Sequence, residues 1–227
     1  MSWWQAALLG VLQGVTEFLP VSSSGHLALA QMLMPGFHQP GVLFDAMLHM
    51  GTAAAIVVFE RNRLIRWLRS PVGPRMLLLL IVGTLVTAVP GLPLRHLAEA
   101  AFGRPAWVGG GLLVTGLVVL VTRFLAGGAT DEESTSWRQV AAIGLAQGLA
   151  VFPGISRSGM TIATGLGAGL ERQWAARFSF LLAVPAIAGA TVVELAGARG
   201  QLGSMGPGFW TACTVGAVAA GISGYFA

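Results

Sequence analysis

Two short stretches of this chain hold the residue types that could do chemistry. One runs through Gln13, Glu17, Ser22, Ser23, Ser24, Gly25 and His26, and the other through Ser156, Arg157, Ser158, Gly159 and Thr161. Glu17 follows Gln13 by four positions, so on a helix both share one face. A carboxylate there could hold a divalent cation or act as a base, with Gln13 as a weaker ligand. The run of serines before His26 can form a turn whose N–H groups and hydroxyls converge, as in backbone nests that cradle phosphate oxygens. Serines in that position also cap a returning helix, and the two uses are compatible. A bound phosphate takes the N–H groups a cap leaves over. Arg157, between two hydroxyls, supplies a permanently charged planar fork suited to bidentate phosphate binding. The simpler structural alternative is an ion pair between Glu17 and Arg157, which does not exclude turnover.

The two stretches are copies of one element. Residues 9–25, LGVLQGVTEFLPVSSSG, align without a gap on residues 143–159, IGLAQGLAVFPGISRSG, after a shift of 134 positions. Gly10, Gln13, Gly14, Phe18, Ser22, Ser24 and Gly25 fall on identical residues. The copies differ where charges sit, with Glu17 and His26 in one and Arg157 in the other. About 14 apolar residues precede the break at Pro20, too few to cross a hydrocarbon core of roughly 30 Å but enough for a re-entrant half-helix.

Composition places these elements in a membrane. The 227 residues are 55% hydrophobic and 10% charged, against about 25% charged in soluble domains, and the mean hydropathy is +0.74. Apolar runs at 42–59, 76–94, 106–125, 178–197 and 208–227 read as spans. The expected class is an all-α polytopic membrane protein with two re-entrant helix-loop-helix elements and five or six transmembrane helices. It forms a single domain over 1–227, with a first repeat at about 1–125 and a second at about 135–227. Three spans separate the two re-entrant elements, and an odd number reverses orientation, so the repeats should be inverted. Broken helices in inverted repeats point their N-termini at an anion near the midplane. The second repeat has one span fewer than the first, so a last helix is expected beyond Ala227.

The net charge of +4 and the pI near 11 do not mark a nucleic-acid binder, because all 13 basic residues are arginines that follow loops. Arg61, Arg63, Arg66, Arg69 and Arg75 crowd one connection, which the positive-inside rule makes cytoplasmic. Following the spans from there puts nine arginines inside and three (Arg95, Arg104, Arg199) outside, with Arg157 in neither set. The N-terminus lacks a basic signal-peptide start and reads as mature sequence. Cys213 stands alone, so neither an internal disulfide nor a cysteine metal cluster is expected. Asp45 and His49 share a helix face and could hold a metal or line a cavity entrance. His38 and His96 read as bystanders in outer loops, Asp131–Glu133 reads as a solvated run, and Glu194 is given no role.

QGVTEFLPVSSSGHL, FDAMLHMGTAAAIVVF and FPGISRSGMTIATGL together resemble the undecaprenyl-diphosphatase, or bacitracin-resistance, family across essentially the whole chain. Its (Glu/Gln)-x-x-x-Glu motif matches Gln13 with Glu17, and its Pro-Gly-x-Ser-Arg-Ser-x-x-Thr motif matches Pro153 to Thr161. The resemblance implies a bacterial plasma-membrane enzyme that removes the terminal phosphate of undecaprenyl diphosphate, recycling the lipid carrier of cell-wall assembly. It also implies dependence on a divalent cation, Mg2+ or Ca2+. The site should open towards the outer, periplasmic side. In that reaction Glu17 would hold the cation, with Gln13 and Asp45 as weaker candidates. Arg157 would neutralise phosphate charge. His26 would act as base or nucleophile, and Ser23 is the other candidate nucleophile. Ser22, Ser24, Gly25, Ser156, Ser158, Gly159 and Thr161 would bind phosphate oxygens. A homodimer is a further open expectation. Another enzyme class, the acid-phosphatase type of lipid phosphatase, needs a His six positions after the Arg, where this chain has Ala163. The remaining alternative is a carrier that flips the prenyl phosphate on the same inverted-repeat scaffold.

Overall fold

A computed structural model describes residues 1–37 and 42–227; His38 lies outside the described residues. Among the described residues ten α-helices follow one another: α1 (Trp3–Phe18), α2 (Ser23–Leu33), α3 (Val42–Phe59), α4 (Arg61–Arg69), α5 (Val72–Phe102), α6 (Pro105–Thr122), α7 (Trp137–Leu149), α8 (Arg157–Gly167), α9 (Arg172–Gly197) and α10 (Pro207–Phe226). Helices α3, α5, α6, α9 and α10 are long and apolar enough to cross a membrane, and they fall on the five expected spans. The protein is therefore an all-α, multi-pass membrane protein. Helices α1 and α7 have 16 and 13 residues. At 1.5 Å per residue they reach only about 20–24 Å, less than a bilayer core, and each turns back into an 11-residue partner, α2 or α8.

The repeat extends to the helix limits. A shift of 134 carries α2, residues 23–33, onto α8, residues 157–167. It also carries Ser2 and Gln5 onto Ser136 and Gln139, which form equivalent capping boxes at the starts of α1 and α7. In each, the serine N–H donates to the glutamine Oε1, at 2.9 Å and 2.8 Å. This satisfies a helix-end donor that would otherwise be stranded in an apolar setting. Packing partners follow the same logic: α1 lies along α10, and α7 lies along α5. Small residues let these helices approach closely. A Cβ added at Gly10 would come within 2.9 Å of the Ala219 Cβ.

Three apolar clusters hold the bundle. One gathers Met76, Leu79, Val140, Leu166 and Phe178 from α5, α7, α8 and α9. A second joins Leu9, Leu27, Phe44, Leu48 and Cys213 from α1, α2, α3 and α10. The smallest, Ala53, Ile56, Ala183 and Ile187, sits between α3 and α9 with Phe18 and Phe180 against it. It bridges the two repeats directly beside the polar residues described below.

Three connections differ from expectation. Residues 95–105 were expected as an outer loop, but α5 continues through Pro90 and Pro93 to Phe102, leaving only Gly103 and Arg104 before α6. Each proline removes one helix donor and crowds the preceding turn, yet the helix axis persists across both. The arginine-rich connection after α3 is itself helical, as α4. The stretch from Arg172, expected as a connection, is the first turn of α9.

The arginines assigned to the inner side meet at one end of the molecule. Arg63 pairs with Glu60 and Glu132, and Trp67 donates to Glu132. Arg75 donates to the carbonyls of Glu133 and Thr135, and Arg172 to that of Leu125. These bonds lock α4 and the start of α5 onto the 123–136 connection. Within that connection, hydrogen bonds from Ser134 hold the exposed Asp131 carboxyl below the usual carboxylate range. A separate group, Arg95, Glu99 and Glu194, links α5 to α9.

Candidate active site

The two helix hairpins meet tip to tip. The α2 start is capped by Ser22, whose Oγ accepts from Gly25 N at 3.3 Å; the α8 start is capped by Ser156, whose Oγ accepts from Gly159 N at 3.0 Å. In each cap the first serine hydroxyl also meets the second, Ser22 with Ser24 at 3.3 Å and Ser156 with Ser158 at 3.1 Å. Gly25 packs on the opposite turn so closely that a Cβ there would lie 2.8 Å from Gly154 Cα. Two helix N-termini, each lined with hydroxyls, thus converge, a natural environment for an anion.

The turns that precede the caps are built differently. Gly154 takes the positive φ of +89° in the second hairpin, leaving Ser156 in an ordinary extended conformation. In the first hairpin Ser22 itself has φ +67°, the only non-glycine residue among those described to do so. Such a conformation is disfavoured for a side chain and persists when the surroundings hold it. The second turn is pinned by Thr115 of α6, whose hydroxyl donates to the Gly154 carbonyl at 2.6 Å and accepts from Ser156 N at 2.8 Å.

Glu17 is the centre of the arrangement. It is 8% exposed and sits at the end of α1, facing the second hairpin. Arg157 of α8 donates to its Oε1, joining the repeats through a buried ion pair. Oε2 accepts from Gln13 Nε2 at 2.9 Å and from Ser23 Oγ at 2.5 Å. His49 Nε2, from α3, lies 3.6 Å from the same oxygen. His49 Nδ1 meets the Asp45 carbonyl at 2.8 Å. A carbonyl can only accept, so Nδ1 carries a proton and the ring is held with Nε2 turned towards the carboxylate. The Gln13 side chain is fully buried, and its Oε1 has no hydrogen-bond partner. Unsatisfied buried acceptors are costly.

Glu17 Oε2, Ser23 Oγ and His49 Nε2 lie together, with the Gln13 amide turning its Nε2 to the same carboxylate. Among the described residues no group of three or more His, Cys, Asp or Glu residues could hold a metal. The set nonetheless fits a hard divalent cation of the Mg2+ type, which takes one or two carboxylates and completes its shell with water and substrate phosphate oxygens. Gln13 Oε1 would join such an ion by turning the amide over; its repeat counterpart, Gln147 Oε1, is likewise without a partner.

Other expected residues take varied places. His26 Nδ1 meets the Ser22 carbonyl at 2.8 Å, so Nδ1 carries a proton and Nε2 is left without this contact. Ser158 Oγ reaches the Leu19 carbonyl at 3.3 Å, tying α8 to the first turn. Thr161 Oγ1 meets the Arg157 and Ser158 carbonyls and the Ser179 hydroxyl, and so serves the α8–α9 contact. Asp45 is buried, and its carboxylate accepts from Gln31 Nε2 at 2.8 Å. It reaches the Glu17 group through the backbone link to His49. Five residues not expected at the site from sequence line the space beside Glu17 and Arg157: Phe18, Ile56, Ser179, Phe180 and Ala183. Phe180 packs edge-on against Phe18 at 5.4 Å. With the ion pair closed, that space shrinks to about 10 Å³, room for at most one water.

A family model described as bacitracin resistance protein BacA matches residues 6–227. A Carboxydothermus hydrogenoformans protein named undecaprenyl-diphosphatase is 40% identical over all of this chain and 86% of its own length. One of that name from Syntrophotalea carbinolica is 46% identical over 86% of this chain and 77% of its own. A Bacillus thuringiensis protein named undecaprenyl-diphosphatase 4 is 37% identical over all of this chain and 86% of its length.

Proposed function

The chain belongs to the bacitracin resistance protein BacA family, and from that premise we propose that it hydrolyses undecaprenyl diphosphate to undecaprenyl phosphate and inorganic phosphate where its hairpins meet. The observation that carries this reading is the convergence of Glu17, Ser23 and Arg157 with two serine-capped helix N-termini in an apolar bundle. Diphosphates resist attack because their oxygens repel an incoming nucleophile, so catalysis rests on neutralising charge and fixing geometry.

Arg157 and the N–H groups beginning α2 and α8 bind the terminal phosphate, with the hydroxyls of Ser22, Ser24, Ser156 and Ser158 as adaptable partners. A divalent cation held by Glu17, Gln13 and His49 supplies further charge neutralisation when bound. Ser23 Oγ is the attacking atom this geometry favours, because its proton already points at the Glu17 carboxylate. Attack at the terminal phosphorus breaks the anhydride bond, the prenyl phosphate leaves, and water then cleaves the phosphoserine. Direct attack by water, activated at His26 Nε2, is the second route; rapid quenching with radiolabelled substrate separates the two, since only the first leaves label on the protein.

The repeats enter the bilayer from opposite faces, and the site opens towards the outer side of a bacterial plasma membrane. The clustering of α4 with the 123–136 connection supports this, because it gathers the arginines at one end. The deciding experiment is phosphate release from undecaprenyl diphosphate by purified protein in detergent, with and without chelator. Cation-dependent release is expected. No release under any cation would refute the reading and leave a carrier of prenyl phosphate, which cannot act where no membrane separates two compartments.

A further inference from the structure

A cleft of about 460 Å³ lies between the end of α5, the first half of α6 and the turn of the second hairpin, a size in the range of small-molecule sites. Trp107, Gly110 and Val114 form one wall, spaced three and four positions apart on a single face of α6, and Phe152 and Ile155 form the floor. Of its nine lining residues only Trp107 carries a polar side-chain atom. Ile155 is one residue from the Ser156 cap and two from Arg157. Thr115 fixes the floor and the cap together, because its one hydroxyl bonds both Gly154 O and Ser156 N.

We propose that this cleft binds the isoprenyl chain of the substrate, seating several isoprene units beyond the first while the rest runs out into lipid. The inference rests on the phosphatase reading and adds where the chain leaves the site. A diphosphate held at Ser156 and Arg157 carries its hydrocarbon beside Ile155. On the other side of Arg157, the space bounded by Phe18, Ile56 and Phe180 closes to about 10 Å³, too small for even one isoprene unit.

Gly110 has nothing within 4 Å of an added Cβ, so Gly110→Leu fills the cleft without disturbing the helix packing. The test compares phosphate release from undecaprenyl diphosphate and from a five-carbon isoprenyl diphosphate, which is too short to run along the cleft. For Gly110→Leu the ratio of KM values, long chain to short, should rise about tenfold, the effect of excluding one or two buried methylene groups. Ala106→Phe, at the other end of the same wall, should raise it as well, which keeps the test intact if one variant folds poorly. Leu85→Ala, at an exposed position of α5 outside the cleft lining, should leave the ratio as it is. An unchanged ratio in both cleft variants with an active wild type would overturn the proposal, meaning that the cleft holds only ordinary lipid. A wild type that releases phosphate from neither substrate would instead remove the phosphatase reading, and this inference with it.

Discussion

Removing both charges of the Glu17–Arg157 pair at once should destabilise the protein less than the sum of the two single losses. Glu17→Gln keeps the shape and the Gln13 and Ser23 neighbours but leaves the Arg157 guanidinium unpaired at the hairpin junction. Removing one partner of a buried pair costs about 3–5 kcal/mol. Arg157 retains 23% side-chain exposure, so some of its charge can be solvated and the lower end, about 3 kcal/mol, applies. For a chain of this size one kcal/mol moves the melting point by roughly 2–4 °C, which gives a fall of about 6–12 °C. Arg157→Gln should also lower the melting point, because it leaves the more deeply buried Glu17 without its cation. The double variant should then melt above the sum of the two losses, with a coupling of about 1–3 kcal/mol. The assay is thermal unfolding in detergent followed by tryptophan fluorescence. Additivity within about 0.5 kcal/mol would refute the reasoning, because two groups in contact cannot be independent.

Arg157→Ala should lower the rate of phosphate release about 10²–10³-fold, the usual effect of losing a charge-stabilising donor; near-wild-type turnover would remove it from the site. In Glu17→Gln the cation concentration for half-maximal activity should rise, and an unchanged titration would point to another ligand. His49→Ala should move the same titration in the same direction by a smaller amount, read in the same phosphate-release assay. Gly25→Ala places a methyl 2.8 Å from Gly154 Cα and should cost about 1–3 kcal/mol, with turnover lost as the hairpins part; unaltered melting and activity would mean that the close approach is unimportant.

The meeting of the hairpins was legible because the two copies kept their glycines and serines in register while their charges diverged. Glu17 in one copy and Arg157 in the other invited the pairing found at the junction. The capping boxes were equally available, as SWWQ at 2–5 and SWRQ at 136–139, but their signal is only two polar residues per copy. What stayed hidden depends on tertiary contact. Ser179 and Phe180 lie in an apolar span, and nothing in their sequence neighbourhood sets them apart; only the crossing of α9 beside α8 brings them to the site. The continuation of α5 past Pro90 and Pro93 was masked because each proline reads as a stop, whereas in a packed bundle neighbouring groups can take over the carbonyls it frees. His49 was visible as a candidate, but its aim at Glu17 follows from the Asp45 carbonyl fixing the ring.

The closed clasp between Glu17 and Arg157 makes the resting protein inhospitable to either guest alone. An anion that captures the guanidinium strands a carboxylate in oil, and a cation that captures the carboxylate strands the guanidinium. Each newcomer therefore welcomes the other, and thermodynamic reciprocity makes the help equal in both directions. Lone phosphate or lone metal in the surrounding fluid should accordingly find the door shut, while a metal-bearing diphosphate carries both halves of the key.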